Sequence, residues 1–292
     1  MARQLLTNET RIGPRVFAWG TRTYVMGVIN VSPESFSGDG LSDAGAAVEQ
    51  ARRFMAEGAD ILDVGGQSTR PGPVKTDDGF EEIAPGEEVR RVLPVIEGIR
   101  RALPDAPISV DTYKPAVARA ALDAGAHMLN DVMGLRRDPE LARIAARARV
   151  PIVVMHNQRG RQAEDVMSAV LEGLRASLRI AGEAGIARGD VIVDPGFGFG
   201  WTPEQNIEIL RRLRELEALE APVLVGTSRK STVGIALGGA PVHERVFGTA
   251  ATVALAIAHG ADIVRVHDVA EMVQVARVSD AIVRGRMPGE GP

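Results

Sequence analysis

Cysteine is absent from this 292-residue chain. That excludes disulfides, thiolate metal sites and cysteine nucleophiles together, and it fits a reducing, cytoplasmic setting. Aromatic residues are scarce, at 4%, so Val, Ile, Leu and Ala must fill the core. No apolar run approaches the ~20 residues that a membrane helix needs. The first residues, Met1 to Glu9, contain no long apolar segment, so no signal peptide is expected. Nor is there an excess of positive charge. A net charge of -4 argues against nucleic acid or an anionic membrane as a bulk partner. Any polyanion must be held locally, by a few placed cations.

What is present is ordinary globular material, 45% hydrophobic and 25% charged. No interdomain linker, repeat or low-complexity tract interrupts it, and residues 1–292 read as a single domain. Apolar, β-branched runs fall at 24–31, 60–64, 107–111, 127–130, 150–155, 190–194, 222–227 and 261–266. They are continuous rather than alternating, the pattern of strands buried on both faces in a parallel sheet. Amphipathic stretches lie between them, at 43–57, 87–103, 115–124, 138–148, 164–184, 204–217, 243–258 and 269–285. Asp43 is placed to cap the first helix and Gly58 to stop it. Pro94 is expected to kink the second helix or shift its start. Eight strand–helix units without a dinucleotide fingerprint predict an α/β fold, a (β/α)8 TIM barrel rather than an open doubly wound sheet. Residues 1–22 form a short N-terminal extension with turn signals at Gly13-Pro14 and Gly20, read as a hairpin plugging the barrel's bottom.

The functional signal is positional. Nearly every predicted strand ends in polar residues: Asn30, Asp63 through Arg70, Asp111, Asn130-Asp131, His156-Asn157, Asp194, Ser228 through Ser231, and Arg265-Val266-His267-Asp268. In a barrel enzyme the C-terminal face of the strands carries the active site. Two long loops rich in Gly and Pro, 32–42 and 65–86, read as lids, the second in its first part around Ser68-Thr-Arg-Pro71, with the acidic stretch 77–88 read as solvated. The residues divide by chemistry into two clusters. Arg70, Arg265 and His267, with Asn30 nearby, suit phosphate oxygens. Asn30 by itself is a weak metal site, suited to Mg²⁺ that borrows oxygens from a substrate phosphate. Asp111, Asn130 and Asp194 offer acceptors to a donor-rich heterocycle edge, and Lys230 can serve either cluster or stack on a ring. His127, His243 and His259 read as structural, and Asp63 as a packed, hydrogen-bonded core carboxylate.

In this order, the motifs resemble those of the dihydropteroate synthase family. They are Met26-Gly-Val-Ile-Asn-Val-Ser-Pro-Glu-Ser-Phe-Ser37, Asp60-Ile-Leu-Asp-Val-Gly-Gly-Gln-Ser-Thr-Arg-Pro-Gly72, Ile108-Ser-Val-Asp-Thr112, Asn130-Asp131, Val154-Met-His156, Asp194-Pro-Gly-Phe-Gly-Phe-Gly200, Gly226-Thr-Ser-Arg-Lys-Ser231 and Arg265-Val-His-Asp-Val269. The resemblance spans residues 20–285. It implies condensation of 6-hydroxymethyl-7,8-dihydropterin pyrophosphate with 4-aminobenzoate, with release of pyrophosphate. It places Asp111, Asn130, Asp194 and Lys230 on the pterin. Asn30, Thr69, Arg70, Arg265 and His267 fall on the pyrophosphate, with Asn30 also on Mg²⁺. Pro71, Phe199, Lys230 and Ser231 fall on the aminobenzoate, and Asp111, Asp194, Lys230, Arg265 and His267 form the catalytic set. The family is a sulfonamide target and commonly a homodimer. For that contact the apolar stripe Val246, Ala250, Val253, Ala254 and Ile257 is a candidate, as it is for core. The chain departs from the family pattern at Glu34 for Asp, Ser37-Gly-Asp-Gly40 for a Ser-Asp-Gly-Gly order, Gln67 for Glu, and Trp201 for Lys. The alternative readings are a pterin-binding methyltransferase, which has no use for the combined arginine motifs, and a non-catalytic pterin-binding paralogue.

Overall fold

The computed structural model describes residue 7 and residues 9–31, 43–69 and 82–285. A two-stranded antiparallel hairpin comes first, β1 (Glu9–Ile12) and β2 (Arg15–Ala18). Eight parallel strands follow: β3 (Tyr24–Asn30), β4 (Ile61–Gly65), β5 (Ile108–Asp111), β6 (Met128–Asp131), β7 (Ile152–Met155), β8 (Val191–Asp194), β9 (Leu224–Val225) and β10 (Ile263–Val266). The sheet order is β8-β7-β6-β5-β4-β3-β10-β9. A parallel bridge between Val193 and Val223 joins its two ends. The result is the expected (β/α)8 barrel.

The helices are α1 (Ala44–Glu57), α2 (Pro85–Ala102), α3 (Pro115–Asp123), α4 (Glu140–Ala148), α5 (Val166–Glu183), α6 (Pro203–Arg211), α7 (Ser231–Ala236), α8 (Val246–Ala258) and α9 (Val269–Arg284). Their ends follow local chemistry. Asp43 caps α1 by accepting from Gly45 N–H at 2.9 Å, and Gly58 closes it in the left-handed conformation with φ 104°. At α6, Thr202 and Gln205 form a reciprocal capping box around Pro203. Two expectations change. The second helix begins at Pro85 and runs through Pro94, so the proline does not set its start. The sixth helix ends at Arg211, and the rest of the predicted stretch is a 3-10 turn over Leu213–Leu219.

Two apolar layers make up most of the core, with a smaller cluster at Tyr113, Val132, Met133 and Met155. One lies between the strands and the helices. The other fills the barrel itself, with Met26, Ile61, Met128, Val153, Ile192, Leu224 and Ile263 facing Ile12, Phe17, Trp19 and Tyr24 from the hairpin side. The hairpin therefore plugs the bottom, as anticipated. Its turn is tight against β6: Gly13 has φ +56°, and a Cβ there would lie 2.5 Å from the His127 ring. His127 Nδ1 accepts the Ile108 N–H at 3.1 Å, and His259 Nδ1 lies 2.7 Å from the Leu210 carbonyl, so both are structural. His243 is exposed.

The inner layer dictates what stands above it. Alternate residues of a strand point the same way. Two residues on from Ile61, Met128, Ile192 and Ile263 come Asp63, Asn130, Asp194 and Arg265. On these four strands the apolar floor thus gives way, in one step, to a polar layer toward the C-terminal end.

Candidate active site

Arg265 organises this layer. Its Nε donates to Asp63 Oδ2 at 2.6 Å and its Nη2 to Asp111 Oδ2 at 2.8 Å. Asn130 Nδ2 donates to the same Asp63 oxygen at 3.0 Å. Residues from β4, β5, β6 and β10 are therefore linked directly. The two chemically distinct sets of the sequence reading thus meet directly, through Arg265. A buried guanidinium needs counter-charge, and the carboxylates on strands across the barrel mouth supply it. Asp63 is the packed, hydrogen-bonded core carboxylate expected, 0% exposed, and its partners are site residues. The signal for it was the two-residue step from Ile61.

Electrostatics follow from the crowding. Burial pushes the Asp111 carboxyl up to about 7, against the pull of Arg265 and with a further push from Asp63. Burial also raises Asp194, while Lys230, the Gly196 N–H and Arg265 hold it back. Burial opposes the charge on Arg265, but Asp63 and Asp111 outweigh it and keep the guanidinium above its ordinary value.

Asp194 ends β8 and accepts the Gly196 N–H at 2.7 Å. Lys230, which precedes α7, donates to the Phe197 carbonyl and places its ammonium 4.7 Å from the Phe199 ring centroid. Ring stacking was one of the roles foreseen for this lysine. Ser231 opens α7 and is exposed. His267 follows β10; its Nδ1 lies 2.9 Å from Ser228 Oγ, which also accepts the His267 N–H at 3.1 Å. Asn30 ends β3, beside Gly65 and Asp111: a Cβ added at Gly65 would lie 3.8 Å from Asn30 Oδ1 and 3.7 Å from Asp111 Oδ2. Glycine at 65 keeps that part of the mouth open. Thr69 gives its carbonyl to Arg159 Nη2 at 2.6 Å. Arg70, Pro71 and Glu34 lie outside the described residues.

Some strand-end residues do not join the site. His156 is 2% exposed, stacks on Trp201 with centroids 5.7 Å apart, and has Nε2 2.8 Å from Gln158 Oε1. Burial lowers its pKa to about 4, which keeps it neutral. Trp201 is therefore an interior residue. Asp131 accepts the backbone N–H groups of Met133 and Leu135 and shapes the turn after β6.

Sequence reasoning missed two groups. Arg159 sits 4.8 Å from the Phe199 centroid, so two cations approach that ring. Gln67 accepts from Lys114 Nζ at 2.5 Å and from the Ile83 N–H at 3.2 Å, and Lys114 pairs with buried Glu88 at 2.7 Å. The glutamine that departs from the family pattern thus ties Gly66 and Ser68 on one side to Ile83 on the other. Arg159 carried no recognisable motif, and Gln67, though part of one, gave no sign of its partners Lys114 and Ile83.

The comparisons agree with this geometry. A family model described as pterin binding enzyme matches residues 26–267. A dihydropteroate synthase from Clostridium beijerinckii is 43% identical over 276 residues, 94% of this chain and 99% of that protein. One from Bacillus subtilis is 43% identical over 271 residues, 92% of each. Among solved structures, a Clostridium difficile dihydropteroate synthase crystallised with pteroic acid is 44% identical, with a TM-score of 0.85 over 92% of this chain and 99% of that one. The Xanthomonas albilineans enzyme in complex with 7,8-dihydropteroate is 39% identical, with a TM-score of 0.83 over 94% and 98%. By family model, sequence and fold, the chain belongs to the dihydropteroate synthase family of pterin-binding enzymes.

Proposed function

We propose that the chain condenses 6-hydroxymethyl-7,8-dihydropterin pyrophosphate with 4-aminobenzoate to give 7,8-dihydropteroate and pyrophosphate. The observation that carries this reading is the contact of Arg265 with Asp111, which puts an anion-binding cation beside the acceptors for a heterocycle. Asp111, Asn130 and Asp194 present oxygens to the N–H edge of the pterin, with Lys230 alongside. Arg265 and His267, with Asn30, Thr69 and Arg70, take the pyrophosphate. Phe199, Pro71, Ser231 and the Lys230 stem hold the aminobenzoate.

In the reaction the bond from the pterin methylene to the pyrophosphate oxygen breaks, and the leaving group keeps the electron pair. The arylamine nitrogen bonds to the methylene carbon and then loses a proton. Fixed cations stabilise the departing charge, and Asp111 and Asp194 stabilise positive charge spreading onto the ring. No protein nucleophile is required, and placement of the two substrates supplies much of the rate.

The donor set also bears on the metal. Among the described residues no three His, Cys, Asp or Glu side chains could hold an ion together. The neutral Asn30 oxygen fits Mg²⁺ that completes its shell with substrate phosphate oxygens and waters. Bound there by Asn30, Mg²⁺ would neutralise leaving-group charge.

Homodimerisation is supported by an exposed apolar surface on neighbouring helices: Phe247 (84%) and Leu255 on α8, and Val278 and Ile282 (79%) on α9. Within the predicted α8 stripe, Val253 and Ile257 are core instead. The fold has no helix, among the described residues, long and apolar enough to cross a membrane, which accords with a cytoplasmic enzyme. Sulfonamides, as aminobenzoate mimics, would compete at Phe199 and Lys230.

The test is direct. Purified protein given both substrates and Mg²⁺ should form dihydropteroate and pyrophosphate. Pterin binding without product would leave the paralogue reading standing instead.

A further inference from the structure

We infer that Asp63 is a positioning residue, which fixes the direction of the Asn130 amide and the seat of Arg265 at the pterin site. The inference rests on the proposed pterin reading and deepens it.

Asp63 touches no open space: it is 0% exposed, below the mouth of the barrel. Its Oδ2 is the point where two donors from different strands meet, Arg265 Nε at 2.6 Å and Asn130 Nδ2 at 3.0 Å. An ionised carboxylate accepts hydrogen bonds and cannot donate them. An amide beside it must therefore turn its NH₂ group inward, and its carbonyl oxygen is committed to the other side. With Asp111 and Asp194, that oxygen makes three acceptors, the complement of the donor-rich edge of a pterin. With the amide reversed, a donor would face the ring's own N–H groups.

The second consequence concerns Arg265. Its bonds to Asp63 and Asp111 use two of its five N–H groups and fix the guanidinium plane. The remaining donors are then aimed before any ligand arrives. Asp63 acts on the ligand only through these two neighbours.

A purely structural ion pair would lower stability without distinguishing the substrates. Asp63→Asn separates the two roles. The KM for dihydropterin pyrophosphate should rise at least ~10-fold, while that for 4-aminobenzoate stays within ~2-fold. A second readout needs no substrate. Carbon-13 NMR titration of the Asp111 carboxyl should show its pKa falling in Asp63→Asn, because one nearby negative charge is gone and Arg265 is left to Asp111. An Asp111 titration that stays put or rises would overturn the inference, as would equal losses for both substrates. Should Asp63→Asn fail to fold, Asn130→Asp removes the donor facing Asp63 while keeping an oxygen for the ligand. It should show the same KM split, and wild-type kinetics in that variant would equally overturn the inference. Failure of the wild-type protein to make product counts against the proposed function, whereas the Asp111 titration bears on Asp63 alone.

Discussion

Arg265 Nη2 donates to Asp111 Oδ2 at 2.8 Å, across the mouth of the barrel. This bond joins the residue assigned to the leaving group with one assigned to the ring. The two halves of the proposed site are therefore one electrostatic unit, and perturbing either should be felt in the other.

Arg265→Ala removes the cation from two carboxylates at once. Dihydropterin pyrophosphate should bind at least ~100-fold more weakly, since a lost charged partner at a buried site costs about 3–5 kcal/mol. A pterin lacking pyrophosphate should also lose affinity, but by less, because Asp111 is left without its partner. Calorimetric titration of both ligands measures the difference, and equal losses would show that Arg265 has no special part in holding the anion.

Asp111 sets a pH dependence. Its folded pKa, about 7, lies above the ordinary carboxylate value. Pterin binding should strengthen as pH rises through that value, because the ionised carboxylate is the acceptor. Stability should run the other way. A raised folded pKa means that the native state holds a proton the unfolded chain has lost, so this group's contribution declines from about 4 to about 7. Asp111→Asn should flatten both trends, in ligand titrations and in denaturant melts across that range.

Gly196→Ala should destabilise the fold by at least ~2 kcal/mol, the range of changes that force a backbone clash. Gly196 has φ +77°, and a Cβ there would lie 1.8 Å from the His156 carbonyl oxygen. Chemical denaturation measures the loss. Because Gly196 also starts the turn carrying Phe199, the KM for aminobenzoate should rise in the folded fraction.

Phe199→Ala removes the ring that Lys230 and Arg159 approach at 4.7 and 4.8 Å. The KM for aminobenzoate should rise about 10-fold and pterin affinity change by less than ~3-fold, consistent with one aromatic contact of about 1 kcal/mol or more. Steady-state kinetics with each substrate varied separately distinguish the two.

Charging the exposed helix surface tests the assembly. Phe247→Glu combined with Ile282→Glu should yield a monomer in analytical ultracentrifugation, without loss of fold. A wild-type protein that is already monomeric would refute the proposed dimer.

Much of this architecture was legible in the residues. Continuous apolar runs marked the strands because both of their faces are buried, and Asp43 and Gly58 marked the ends of α1 because cap chemistry is local. The polar strand ends located the mouth. α7 was not foreseen, since a six-residue helix among Gly234, Gly238, Gly239 and Pro241 leaves no periodic stripe. β9, with two residues, is shorter than its apolar run because burial alone does not ensure a hydrogen-bonded ladder. The direct contact between the two clusters was not legible, for a different reason. Residue chemistry says what a side chain can bind, but not which neighbour across a barrel will satisfy it. Asp63 read as core from its place on a strand, and it is core, while its register two residues beyond Ile61 puts it in one layer with Asn130 and Arg265.

The central claim, that ring binding and leaving-group binding share one electrostatic unit, is tested most directly by a double-mutant cycle. Asp111→Asn, Arg265→Gln and the double variant should be compared in binding dihydropterin pyrophosphate. Coupling of at least ~1 kcal/mol is predicted, as for charged groups in direct contact. Additive losses would contradict it and return the site to two independent halves.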